Sequence, residues 1–195
     1  MTDTSPKRLS KPQRREQLLG TAMTIVREQG TEALTLGYLA ERAGVSKPVT
    51  YEHFGTRSGL LIELYKQIDA EQVAALLKAL ERTPRELKEV ARVMSRACMN
   101  CYTSAGPEWH AISAALKGTA EMEAAQQELV DGYVDLYCEA LGPFTKLSKE
   151  ELRLRCVGLI GAGEAISREM LQGRVTQARA ASVLGAMLMA TLSPA

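Results

Sequence analysis

The segment Thr35 to Phe54, TLGYLAERAGVSKPVTYEHF, cannot form one continuous helix, and it restricts the chain more than any other stretch. Gly44 reaches the left-handed conformation at a helix end without a Cβ penalty, and Ser46 two residues later can cap a new helix. Pro48 fits only in a first turn, where its missing amide hydrogen costs nothing. Thr35 is placed to cap the first helix, with Leu34 stapled onto Leu39. The segment therefore reads as two short helices separated by Gly44-Val45-Ser46. Leu36, Leu39, Ala40, Ala43 and Val45 supply an apolar side for the first helix and turn, and Tyr51 and Phe54 for the second. Lys47, Val49 and Thr50 are left free near the N-terminal end of the second helix.

The rest of the chain reads as helix throughout. Leu18, Leu19, Ala22, Ile25 and Val26 stand at helical spacing between Ser10 and Gln29, with Ser10 and Gln13 at capping-box distance and Gly30 as the stop. A long fourth helix carries Leu60, Leu64, Ile68, Val73, Leu76 and Leu80 up to Thr83-Pro84. Thr83 and Glu86 have the spacing to open a fifth helix, which runs through Tyr102. Gly106-Pro107 starts a shorter helix, and Thr119 opens another that Gly142-Pro143 ends. Ser148 and Glu151 open a helix to about Leu171, and Gly173 separates it from a last one over about Thr176 to Leu192. Alternating segments and long β-branched runs are missing, so the fold class is all-α.

The stretch Ala43 to Leu60, AGVSKPVTYEHFGTRSGL, resembles the signature of the TetR family of one-component transcriptional regulators. The shared features are a glycine-valine-serine turn, a Tyr-x-His-Phe helix end, a basic residue and then leucine. The resemblance covers roughly the N-terminal third. It implies a helix-turn-helix DNA-binding domain over residues 1–60 with a basic N-terminal arm, and a helical effector-binding and dimerisation domain over 61–195. It further implies that Lys47, Pro48, Val49 and Thr50 touch base edges, that Tyr51 and His53 touch bases or phosphates, and that Arg57 contacts a phosphate. Thr35, at the start of the preceding helix, belongs with them. The physics agrees: a helix N-terminus with a lysine suits phosphate or guanine, and Val49 or the Thr50 methyl suits a thymine methyl. Phe54 reads as core, and His53 has the alternative of a surface or capping residue. Two positions depart from the family pattern, Gly37 where some members place a base-contacting side chain and Gly59 where a glutamate often stands. Lys7, Arg8, Lys11, Arg14 and Arg15 oppose only Asp3 ahead of the first helix, which makes a basic arm beside the motif.

Gly158, Gly161, Ala162, Gly163 and Ala165 interrupt the penultimate helix, where each interior glycine costs about 1 kcal/mol against alanine. Close approach of another helix compensates. The resemblance makes Gly158, Gly161, Ala162 and Ala165, with Leu184 and Leu188 of the last helix, a homodimer interface. The alternative is relief of crowding within one subunit. Dimerisation would set two recognition helices one DNA turn apart on a near-palindromic operator.

Met94, Cys98, Tyr102, Trp109, His110, Tyr133 and Tyr137 mix polarizable, aromatic and hydrogen-bonding groups on three consecutive helices, suited to a small apolar or aromatic effector, although such stripes also serve as plain core. Cys98-Met-Asn-Cys101 supports a competing reading, a helical thiol oxidoreductase, or a redox-sensing pair. A second CxxC, paired histidines, HExxH, GxSxG and P-loop patterns are all missing, so no catalytic residue, metal or cofactor is expected. The net charge of +1 and 46% hydrophobic content exclude a generally basic nucleic-acid coat, and no apolar run long enough for a membrane span or signal peptide exists. A cytoplasmic protein with four free thiols follows. The function expected is a sequence-specific DNA-binding regulator, a repressor released by a small molecule.

Overall fold

The computed structural model describes residues 9–104, 106–115 and 120–192, without the side chains of 104–110. The helices are α1 Lys11–Gln29, α2 Leu36–Ala43, α3 Lys47–Phe54, α4 Arg57–Glu81, α5 Leu87–Ser104, α6 Gly106–Ala115, α7 Ala120–Leu141, α8 Lys149–Leu171 and α9 Gln177–Thr191. Short 3-10 turns occupy Thr31–Ala33 and Gly142–Phe144, and no strand occurs among the described residues. The all-α expectation holds.

Local chemistry sets most boundaries. Ser10 and Gln13 form the reciprocal capping box of α1. The Thr35 hydroxyl oxygen accepts from the Tyr38 amide at 3.1 Å, and Gly44 ends α2 with φ 66° and ψ 35°. Ser148 and Thr176 accept from Glu151 and Arg179 to start α8 and α9. Two expected caps work otherwise. The Ser46 side chain makes no capping hydrogen bond, because Pro48 preorganises the first turn of α3 and the Ser46 carbonyl already accepts from Val49 at 3.0 Å. Thr83 belongs to the end of α4, its hydroxyl donating to the Ala79 carbonyl at 2.8 Å, and α5 starts at Leu87.

The chain divides into two compact units, Met1–Lys66 with Pro107–Met122, and Gln67–Gly106 with Glu123–Ala195. The break therefore lies within α4 and not at its start. In the first unit Leu18, Ile25, Leu34, Leu39, Leu60, Leu61 and Leu64 are fully buried with Phe54 beside them. In the second, Met94, Met99, Val134, Tyr137, Leu141, Cys156, Leu184 and Leu188 form the core. Its most extensive helix pairing is α5 against α9, where a Cβ on Gly185 would meet the Ser95 hydroxyl at 3.1 Å.

Candidate functional sites

The helix-turn-helix is built from α2 and α3 with α1 and α4 around it. Thr50, predicted as a base reader, is instead fully buried, and its hydroxyl is directed at the Leu36 carbonyl at 2.9 Å and the Lys47 carbonyl at 2.8 Å. It sits one turn into α3 on the side facing α2, so it joins the two helices. Tyr51 moves the opposite way, 54% exposed, leaving Phe54 alone as the core aromatic of α3. Lys47 and Pro48 are exposed at the start of α3 and Val49 is half-buried. The lysine stem passes over α2 where Gly37 has no side chain, its Cε 3.6 Å from where a Cβ would stand. What a DNA groove would meet is therefore the N-terminal turn of α3 with Lys47 and Pro48, then Tyr51 about one turn on.

Arg57, expected at a phosphate, is engaged within its own unit. Its Nε donates to the Leu34 carbonyl at 2.9 Å and its Nη2 to the Thr31 carbonyl at 2.7 Å, with Glu32 at 3.4 Å. These contacts tie the start of α4 to the turn that leads into α2. Gly59 has a steric reason. A Cβ there would lie 2.3 Å from the Phe54 carbonyl oxygen, so a glutamate would force α4 off the end of α3. Thr56 still caps α4, accepting from the Gly59 amide at 2.9 Å.

The described part of the basic arm is helix from Lys11 on. Lys7 and Arg8 lie outside the described residues; Lys11, Arg14 and Arg15 occupy the first turns of α1. Lys11 pairs with Glu52 of α3 at 3.0 Å and holds that carboxyl below its usual range. Arg14 bonds neutral Gln17. Arg15 donates to the His53 carbonyl at 3.1 Å, pairs with Glu63 and stands over the Phe54 ring at 5.4 Å. Burial keeps the half-buried His53 imidazole below its ordinary value of 6.5.

In the second unit the predicted effector residues divide. Met94 and Tyr137 are buried, Cys98, Tyr102 and Tyr133 half-buried. Trp109 and His110 have side chains outside the described residues. Tyr137 donates to Cys98, Tyr102 bonds Ser167, and Tyr133 donates to Asp69, whose carboxyl burial pushes up. Asp69 on α4 was missed because an isolated acid in a helix carries no sequence signal. An open groove of about 670 Å³ lies elsewhere, between α5 and α9, lined by Lys88, Arg92, Arg96, Asn100, Gln177 and Gly185 among others. None of the predicted effector residues lines it.

Burial raises the Cys98 thiol to about 12 and the Cys101 thiol to about 11. Both are protonated near neutrality, which removes the thiolate that a dithiol oxidoreductase needs.

The small residues of α8 also divide. A Cβ on Gly163 would touch Cys98 Sγ at 3.0 Å and Leu184 Cδ2 at 3.6 Å, so this glycine serves packing within the subunit. Gly158 and Gly161 have nothing within 4 Å of a Cβ position. With exposed Ala165, Leu154 (67% exposed) and Val157 they form one outward stripe, beside half-buried Ala162. Leu184 and Leu188, expected at the same interface, are instead at 1% and 0% exposure in the subunit's own core. Met187 occupies the outer side of α9.

Comparison with known proteins places these features. Residues 18–64 match the family described as bacterial regulatory proteins, tetR family. The HTH-type transcriptional regulator BetI of Rhizobium meliloti (strain 1021) is 36% identical over 97 residues, 47% of each chain. The HTH-type transcriptional activator FasR of Mycolicibacterium smegmatis is 36% identical over 76 residues, 39% of this chain and 35% of its own. The matches thus span about half or less of these relatives. A TetR-like transcriptional regulator from Rhodococcus sp. RHA1 shares the fold along almost the whole length, with a TM-score of 0.64, 21% identity, and coverage of 93% of this chain and 97% of that one. Residues 18–64, which hold the helix-turn-helix, therefore match the tetR family of bacterial regulatory proteins, and the chain as a whole shares the fold of the Rhodococcus regulator.

Proposed function

We propose that the protein is a sequence-specific transcriptional regulator that binds a near-palindromic DNA operator as a homodimer. One observation carries this most directly: α3 leaves Lys47, Pro48 and Tyr51 exposed while Thr50 and Phe54 hold its other side to the unit. A helix fixed on one side and polar at its exposed N-terminal turn is the geometry that enters a major groove. The outward α8 stripe of Leu154, Val157, Gly158, Gly161 and Ala165 supplies the apolar surface of a two-fold interface. Ala162 and Met187 flank it, while Leu184 and Leu188 support it from beneath.

Effector binding belongs to the second unit. Met94, Cys98, Tyr102, Tyr133 and Tyr137 would surround a small, largely apolar molecule. The Asp69 carboxyl requires that this molecule, or Tyr133 in its absence, present a hydrogen-bond donor. Binding there shifts the protein between two conformers of different operator affinity. α4, whose residues run from one unit into the other, is one covalent route between them. In this reading the free protein represses and the effector releases it, in the cytoplasm where the DNA is.

Selection of duplexes from a random library, followed by fluorescence anisotropy of the enriched duplex against a scrambled one, tests the proposal. Enrichment of a palindromic sequence bound with two subunits per site is expected. Equal, weak binding to both duplexes would refute it.

A further inference from the structure

The open groove between α5 and α9 has nothing to say what fills it, and burial pushes the Cys156 thiol, hydrogen-bonded to Cys138, up to about 12. The inference carried furthest concerns Arg15, whose position in the cationic N-terminal segment marks it as a phosphate contact. We infer that Arg15 is a positioning residue that fixes the exit of the recognition helix against α1 and α4, and that its charge is not available to DNA. The inference rests on the DNA-binding reading above.

Three contacts from three elements meet on one guanidinium. Nη1 donates at 3.1 Å to the His53 carbonyl, one of the last carbonyls of α3, where the helix has no donor of its own to offer. Nη2 pairs with the Glu63 carboxylate on α4. The guanidinium face lies 5.4 Å from the centre of the Phe54 ring, the aromatic that anchors α3 in the core. A planar cation with donors in a fixed fork is suited to such a three-way joint, and a flexible lysine is not. Neutralised by Glu63 and committed to His53, Arg15 contributes little to the field at the DNA surface, while the pitch of α3 depends on it.

A phosphate contact and a positioning residue differ in what their loss does. Losing a phosphate contact weakens binding to all sequences and lowers the salt slope by about 0.9 per contact. Losing a positioning residue weakens only the binding that needs base register. Anisotropy titrations of the full-length protein on the enriched duplex and its scrambled version, over a salt series, separate the two. Arg15→Gln is expected to lower affinity for the enriched duplex about tenfold, the scale of one charge-assisted hydrogen bond. The scrambled duplex and both salt slopes should be unchanged, and Arg15→Lys should recover only part of the loss.

Glu63→Gln gives the sharper sign and does not touch the arginine. If Arg15 positions α3, releasing it lowers affinity for the enriched duplex. If Arg15 serves DNA, releasing it raises affinity on both duplexes and steepens the slope, which would overturn the inference. An Arg15→Gln protein that fails to fold leaves Glu63→Gln and Arg15→Lys to decide. Failure of the unaltered protein to enrich any duplex is seen before any variant is made, and it refutes the DNA-binding reading itself together with this inference.

Discussion

Leu154 offers the most direct quantitative test of the proposed dimer. It stands 67% exposed on the outer face of α8, beside Val157, Gly158 and Gly161. Burying a leucine side chain completely contributes about 1.5–3 kcal/mol, so covering the exposed two-thirds contributes about 1–2 kcal/mol. A two-fold interface counts each residue twice, which makes about 2–4 kcal/mol per dimer. At about 1.4 kcal/mol per decade, Leu154→Arg should weaken dimerisation about 30- to 700-fold before any repulsion between the two introduced charges is added. Sedimentation velocity over a dilution series reads the constant, and circular dichroism establishes that the helices persist. Leu77→Arg is the control, an exposed leucine on α4 and not on α8, and should leave the dimer intact. The reasoning fails if Leu154→Arg dimerises as tightly as the unaltered protein, or if Leu77→Arg dissociates it equally.

Three further outcomes are expected. Thr50→Val keeps the side chain's shape and removes the hydroxyl directed at the Leu36 and Lys47 carbonyls. It should cost about 1 kcal/mol in urea denaturation and leave base preference unchanged; an altered base preference at full stability would restore Thr50 as a reader. For His53, burial lowers the folded value, so the neutral form is favoured and the stability it contributes is present above the unfolded value of 6.5 and lost as pH falls. A DNA phosphate at His53 would raise the bound value, so binding takes up a proton. Operator affinity should then rise between about pH 8 and about pH 6, by no more than about tenfold per unit, and His53→Gln should flatten the profile; a flat profile in the unaltered protein rules the contact out. Cys98 and Cys101, held protonated at about 12 and about 11, should alkylate slowly at neutral pH by mass spectrometry. Serine at both positions should leave DNA affinity unchanged, whereas fast alkylation would reopen the redox reading.

The parts of this fold that sequence reading recovers are those with local causes. Gly44, Pro48, Ser148 and Thr176 end or start helices through their own backbone preferences and side-chain oxygens, and such preferences need no knowledge of neighbours. What a side chain faces is a different matter. Gly158, Gly161 and Gly163 lie within six residues, yet the first two look outward and the third receives Cys98 and Leu184. Two residues of helix turn through about 200°, and only the positions of α5 and α9 tell which glycine is inside. Thr50 illustrates the same limit, since the family position suggested a reader while the Leu36 carbonyl lies 14 residues earlier in sequence. The missing glutamate at position 59 looked like a lost cap and is a steric requirement set by the Phe54 carbonyl.

The distribution of cations in the head sets a final expectation for how it holds DNA. Lys11, Arg15, Arg42 and Arg57 are paired with Glu52, Glu63, Glu28 and Glu32. Arg14 bonds a neutral glutamine and Lys47 has no carboxylate partner among the described residues, so these two keep their charge for phosphates. With Lys7 and Arg8 from the sequence, each head offers two to four cations and a dimer four to eight. At about −0.9 per neutralised phosphate, the logarithmic salt slope should lie between about −4 and about −7. Were Lys11, Arg15 and Arg57 also phosphate contacts, the count would rise to seven per head and the slope to about −13. Anisotropy on the selected operator distinguishes these values in a single salt series, and removal of residues 1–8 should move the slope toward the shallow end. A slope near −13 would mean that the internal pairs open on DNA, and that the helix-turn-helix is braced only until it binds.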